Sequence, residues 1–369
     1  MQESAYVTER IGERWAFFAA SNSAKGFYSR YAMLFEHPTA RLYLIKGGPG
    51  SGKSRLLWDM VTAAESAGFS AELYLCSSDP TSLDAVHLAH PDGREMIALD
   101  ATAPHNMDVM RPGVREQLID LGAFWDQELL LSRRAEIEQL MQQKEGEYAA
   151  AYRYLGAAGL CHENAQSMVA PLIRTDAMQR LAHRCVAGAM EKASKREVTH
   201  KHICTDSLGM KGRVALPTLE RHAKRRGSFA ACHGLQYRVL EEIRREGERR
   251  GASMILSHHP IYPDCLDAVF FTDSGVLFTT REASEGGAEE GYSRDFRLRH
   301  LVEADGLRQV RGELRALQKL QHTLLERAES CLAAAAEAHF ALESIYGAAM
   351  DFSAKEEYSR RLILQLFGR

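Results

Sequence analysis

Eight consecutive residues, Gly47-Gly48-Pro49-Gly50-Ser51-Gly52-Lys53-Ser54, restrict the local fold more tightly than any other part of this chain. Before them, Arg41-Leu42-Tyr43-Leu44-Ile45-Lys46 reads as a buried strand. After them, Arg55-Leu56-Leu57-Trp58-Asp59-Met60-Val61 has helical character. A Gly-x-x-x-x-Gly-Lys-Ser run requires this strand–loop–helix setting. Its glycines let the backbone wrap closely round phosphate oxygens, and the loop amides and helix N-terminus turn their positive ends toward the anion. Residues 47–55 are the expected phosphate contacts. Lys53 would reach the β- and γ-phosphates, and the Ser54 hydroxyl would ligate Mg2+.

A Mg2+ site also calls for a carboxylate after a hydrophobic strand. Met96-Ile97-Ala98-Leu99-Asp100 meets that description, so Asp100 is the expected metal residue. Asp79, after Leu73-Tyr74-Leu75-Cys76-Ser77-Ser78, is the competitor. Ligands of open α/β sheets bind at the carboxyl ends of strands. His105, in the turn Asp100-Ala101-Thr102-Ala103-Pro104-His105, and Asp79 are therefore the candidates for positioning a water. Ser77 and Ser78 stand at the same strand end as Asp79.

The chain also repeats itself. Ala67-Gly68 and Leu83-Asp84-Ala85-Val86 recur as Arg250-Gly251 and Leu266-Asp267-Ala268-Val269, at a constant offset of 183. Pro80 and Pro263 share that register, as do Arg55 and Arg238, and Ala24-Lys25-Gly26 resembles Met210-Lys211-Gly212. Half the 369-residue length fits one domain. The expected units are 1–190 and 191–369. Each would hold an α/β segment and a helical one, about 112–190 and 306–367, with the helices packed as a hairpin on their own α/β core. Leu314, Leu317, Leu320, Leu324 and Leu325 have helical spacing. A partner-binding coiled coil is the sharper alternative.

At the same offset, Gly47–Ser54 falls on Ala230-Ala-Cys-His-Gly-Leu-Gln-Tyr237, with Gln236 where Lys53 stands. No ordinary Mg-nucleotide site is expected there. Arg221, Lys224, Arg225 and Arg226 form a solvated basic face, or else send a charge-neutralising arginine into the first half's site. Cys232, His233, His258, His259 and Cys265, with His200, His202 and Cys204, have residue types that suit zinc, but no common finger spacing.

A net charge of -3 argues against general nucleic-acid or anionic-membrane binding by bulk charge. The seven cysteines are dispersed and form no Cys-x-x-Cys pair, as expected of free thiols in a reducing compartment. No stretch has the apolar length of a membrane span. The chain reads as cytoplasmic.

Across nearly its whole length the chain resembles an uncharacterised family of bacterial duplicated P-loop ATPases. Besides residues 46–54, the resemblance rests on Cys76-Ser77-Ser78-Asp79-Pro80 with Leu83-Asp84, and on Asp100-Ala101-Thr102-Ala103-Pro104-His105. Pro112-Gly113 with Leu121-Gly122, Glu343-Ser344-Ile345-Tyr346 and Met350-Asp351-Phe352 extend it. It implies an α/β fold of two tandem P-loop NTPase-like parallel-sheet domains, each with helical additions. In that family the second half commonly carries its own Gly-Lys-Ser/Thr loop; this chain departs there. The expected ligands are ATP and Mg2+, the preference for ATP resting on this resemblance and on the lack of an Asn-Lys-x-Asp stretch. An ATPase or ATP-driven switch is the leading expectation. A small-molecule or nucleotide kinase, with Glu116, Arg133 and Arg134 as acceptor contacts, is the first alternative. A non-hydrolysing nucleotide-gated module, docking a protein partner through its helical segments, is the second. Self-association into a homo-oligomer stays open.

Overall fold

The computed structural model describes residues 2–105, 107–190, 198–281 and 294–368. The chain opens with α1 (Gln2–Ile11), β1 (Trp15–Phe18) and the hairpin β2 (Ala20–Ser23)–β3 (Gly26–Ser29). Next come β4 (Arg41–Lys46), α2 (Lys53–Ser66), β5 (Ser70–Leu75), β6 (Leu83–Ala89), β7 (Glu95–Asp100) and β8 (Glu116–Asp120). Three helices follow: α3 (Gln127–Ser132), α4 (Arg134–Val169) and α5 (Thr175–Ala189).

The second half repeats the plan. Its elements are β9 (His200–Ile203), the hairpin β10 (Asp206–Gly209)–β11 (Gly212–Ala215), α6 (Thr218–His222), β12 (Arg225–Ala230) and α7 (Leu235–Arg249). Then come β13 (Met254–His258), β14 (Leu266–Phe271), β15 (Val276–Arg281), β16 (Arg294–Phe296), α8 (Ala304–Ala348) and α9 (Phe352–Phe367).

Two six-stranded sheets result, ordered β1-β5-β6-β7-β4-β8 and β9-β13-β14-β15-β12-β16. The same order in both is compatible with tandem domains. The glycines that anchor the sequence repeat have a structural reason. Gly68 and Gly251 follow α2 and α7 with φ of 90° and 67°, and the next amide in each case bonds back into the helix, Phe69 to Ala64 and Ala252 to Gly247.

The sheets are mixed rather than parallel. β6 runs antiparallel to β5 and β7, and β14 antiparallel to β13 and β15. The connections dictate this, because only residues 90–94 join β6 to β7, and a parallel return needs a crossover of about a dozen residues or more.

The helices do not pack as hairpins on their own cores. α4 and α8 lie along each other. Bridges from Trp125 to Met350 and from Ile173 to Val302, at opposite ends of the pair, make them antiparallel. α5 packs on α7 of the second half, where Met178, Leu181 and Cys185 meet Val239, Leu240 and Ile243. α9 packs on α2 of the first half, bringing Leu362 and Phe367 to Leu56, Leu57 and Met60. Each terminal helix therefore closes the other half's core.

The exchange extends to the sheets. Phe18 and Cys204 exchange main-chain hydrogen bonds of 2.8 and 3.1 Å. One apolar cluster joins Leu42, Leu44 and Leu99 of the first sheet to Ile255, Phe270 and Leu277 of the second. All seven cysteines are free. Among the described residues no helix is long and apolar enough to cross a membrane.

Candidate functional site

Residues 47–52 leave the carboxyl end of β4 and feed the first turn of α2, as the sequence requires. The Lys53 Nζ donates to the Gly47 and Gly48 carbonyls at 2.8 and 2.9 Å and lies 3.5 Å from an Asp100 oxygen. Thr102 ties β7 to the loop. Its Oγ1 donates to the Gly47 carbonyl and its amide donates to Asp100 Oδ1. Ser54 Oγ accepts from the Leu83 amide at 2.9 Å, leaving a lone pair for a further partner. Loop amides, a lysine and a helix N-terminus thus converge where an anion is favoured. Burial pushes the Asp100 carboxyl up, and Lys53 opposes that shift.

The other expected residues divide. Asp79 caps its own turn through Thr81 and lies 3.7 Å from Lys211. His105 lies 3.4 Å from Asp84, with the Tyr31 ring 4.5 Å from its own. Burial opposes its protonation, but Asp84 outweighs that and holds the imidazole above its ordinary value. His105 is thus buried against Asp84 and Tyr31 and also feels the charges of Asp100 and Lys53. Arg55 points into solvent and pairs with Asp59.

Four groups that sequence reasoning did not place here form the roof and wall. From α8, Glu343 lies against Gly50. A side chain at Gly50 would come within 2.5 Å of the Glu343 carbonyl, and the Gly50 amide favours the ionised Glu343 carboxyl. Burial raises the Glu343 carboxyl, with Asp79 adding to the shift and Lys53 and Lys211 opposing it. His339, one turn earlier and 3.7 Å from Glu343, is pushed down to about 4 by burial and by Lys144 of α4. Tyr148 of α4 donates to Ser78 Oγ at 3.0 Å.

The fourth group, Lys211, comes from the tip of the β10–β11 hairpin in the second half, 3.7 Å from Asp79. That hairpin is seated by the Met210 amide on the Ser78 carbonyl and by Ser207 Oγ on the Ser77 carbonyl. The sequence carried two signals for this wall: the Lys211 segment as a repeat of 24–26, and the Glu343-Ser344-Ile345-Tyr346 run.

The equivalent region of the second half is built differently. Only residues 231–233 join β12 to Gly234, against 47–51 between β4 and Gly52, and both glycines precede their helix with φ of 82°. The constant offset therefore fails here. Leu235, not Gln236, occupies the Lys53 position, and Gln236 occupies that of Ser54. The Gln236 side chain accepts from the Cys232 amide and closes the short loop on itself. His162 and Gln166 of α4 stand as His339 and Glu343 do on α8, each pair separated by 177 positions. His162 stacks on Tyr262 at 3.9 Å, and Tyr262 on His259 at 4.6 Å, while a Cβ at Gly234 would come within 2.8 Å of the Gln166 side chain.

The basic residues of the second half serve elsewhere. Arg221 bonds the Gly12 carbonyl, Arg225 that of Gly188 and Arg226 that of Glu220. These contacts hold all three toward the amino end of β12, so the alternative of an arginine sent into the first half's site is not met by them. Three of the histidines that suit zinc have other partners. His202 meets His258 at 2.9 Å, and His259 Nδ1 accepts from the Ile261 and Tyr262 amides. Among the described residues none of them belongs to a three-donor metal group.

No family model matches the chain, and neither a curated protein nor a solved structure matches it. The resemblance to duplicated P-loop ATPases accordingly stands on the motif residues themselves.

Proposed function

We propose that the protein binds one Mg-ATP at residues 47–54 and works as an ATPase or ATP-driven switch. The observation that carries the reading is the convergence of Lys53, Asp100 and the Gly47–Gly52 loop at the head of α2. In this account the loop amides wrap the β-phosphate, and Lys53 leaves the Gly47 and Gly48 carbonyls for the phosphate oxygens. Ser54 and, through water, Asp100 fit as holders of Mg2+, since the Ser54 oxygen keeps a lone pair and Asp100 lies beside Lys53. The ion would supply charge neutralisation on the phosphates. Lys211 lies on the Asp79 side of the loop. There it would neutralise charge on the terminal phosphate from the other half of the chain, a role worth about 10³–10⁵ in rate where an arginine performs it in related chemistry. In this reading Asp79 would orient a water. The shortened loop of the second half, closed on itself by Gln236, supports a single nucleotide site.

The kinase reading has less support. Glu116 is buried and accepts from the Arg111 amide. Arg133 and Arg134 form exposed pairs with Glu136 and Glu138, so none of the three lines the loop mouth. The nucleotide-gated module remains the second reading, because the α4–α8 pair roofs the site. Turnover of ATP and GTP with Mg2+, together with a γ-labelled acceptor screen, tests these choices. Phosphate release to water supports the ATPase. A labelled acceptor supports the kinase. Tight binding without turnover supports the module.

A further inference from the structure

At the amino end of β7, the opposite end from Asp100, three side chains converge outside the site already described. His37 follows the short helical turn Tyr31–Phe35, His87 lies on β6, and Glu95 opens β7. His37 Nδ1 is 2.8 Å and His87 Nε2 is 2.7 Å from the same oxygen, Glu95 Oε1. The imidazole rings are 4.4 Å apart, and the three donor atoms all lie within 4.8 Å of one another. No other group of three His, Cys, Asp or Glu donors that could hold a metal forms among the described residues.

We propose that His37, His87 and Glu95 form a binding site for a zinc-class divalent transition metal, which clamps residues 37–39 onto the first sheet. Two nitrogens and one carboxylate are a donor set that suits zinc and its neighbours and does not suit Mg2+ or Ca2+, which prefer oxygen. Both nitrogens aim at one oxygen rather than one at each, so a single ion between them replaces two shared hydrogen bonds with three coordinate bonds. Bonds of about 2.0–2.2 Å set neighbouring donors of a tetrahedral ion about 3.3–3.6 Å apart, so the carboxylate needs to withdraw from the two nitrogens by only about 0.5–0.8 Å. Thr39 Oγ1 donates to the second Glu95 oxygen at 3.2 Å and orients the carboxylate, as outer partners of metal ligands do.

The residue opposite His87 on β5 is Glu72, which Lys201 and Tyr74 already engage, so the protein supplies three ligands. His37 is the most exposed of them, with 34% of its side chain accessible, so the fourth position faces solvent and takes water. Clamping this segment also steadies Tyr31, six residues earlier, whose ring packs on His105.

The test is a Co2+ titration of the full, metal-free chain without nucleotide, followed by Zn2+ displacement. We expect visible bands of four-coordinate cobalt that saturate near one equivalent, are bleached by Zn2+ and are untouched by excess Mg2+. His37→Ala, at an exposed position, and the isosteric Glu95→Gln should each weaken binding by more than about a hundredfold. Both should keep the thermal transition of the native chain in chelator, and Lys53→Ala should bind cobalt normally. Absence of binding at 100-fold excess cobalt overturns the proposal. So does binding that survives in either variant, since the ion then sits on other groups.

Discussion

Glu343 is the group whose removal the site geometry makes most informative. The Gly50 amide favours its ionised carboxyl, so the carboxylate stands beside a place that a phosphate oxygen needs. A phosphate held by the same amide lies within about 5 Å of that carboxylate. Two unit charges at 5 Å repel by about 1 kcal/mol in water and about 3 kcal/mol at the dielectric of a protein surface. The Glu343 side chain is 40% accessible, which favours the lower part of that range, about 1–2 kcal/mol. Glu343→Gln keeps the volume and a side-chain oxygen but removes the charge. Calorimetric titration with Mg-ATP should therefore find it binding about 5–30-fold tighter than the native chain, with the gap narrowing as salt rises. The gap should narrow at low pH as well. The folded-state carboxyl titrates above its ordinary value, so acid neutralises it early, and the native chain then approaches the variant. Equal affinity at neutral pH and low salt would refute the reasoning. Weaker binding by the variant would mean that Glu343 assists the nucleotide instead of competing with it.

Other outcomes follow from the same geometry. Lys211→Ala should lower turnover by at least tenfold while leaving ADP affinity within about twofold, because the lysine faces the terminal-phosphate side; steady-state kinetics with ADP competition checks this. A methyl group at Gly209 would lie 2.5 Å from the Ser78 carbonyl. Gly209→Ala should thus cost about 2 kcal/mol or more in denaturant unfolding by lifting the hairpin that carries Lys211. His258 and His259 are held down to about 3 by burial, so the unfolded chain binds protons that the folded chain refuses between about pH 6.5 and pH 3. Each should make stability fall by up to about 1.4 kcal/mol per unit of pH lost in that window, and His259→Gln should give a shallower acid-unfolding profile than the native chain.

What could be read from the sequence was local. The strand, the glycine loop and α2 are encoded in contiguous residues, and Lys53 with Asp100 meets as the motif requires. Gly68 and Gly251 announced the repeat because a helix ending in a left-handed turn needs glycine at that place. The antiparallel β6 was missed because an apolar run of strand length carries no direction; the brevity of residues 90–94 was the available clue. The exchange of α5 and α9 was not legible, since periodicity tells which face of a helix is apolar but not which core receives it. Lys211 and Glu343 lie 158 and 290 positions from Lys53, and only the packing of one half against the other brings them to its loop. The offset misplaced Gln236 because a shortened loop shifts register inside an otherwise constant repeat.

The central claim is one nucleotide site, held by Lys53. Binding of Mg-ATP to the native chain and to Lys53→Ala, measured side by side by equilibrium dialysis, tests it most directly. The account predicts close to one equivalent per native chain and at least a hundredfold loss of affinity in Lys53→Ala. Two equivalents would contradict the reading of the second half. Unchanged binding in Lys53→Ala, or no binding to the native chain, would contradict the site itself.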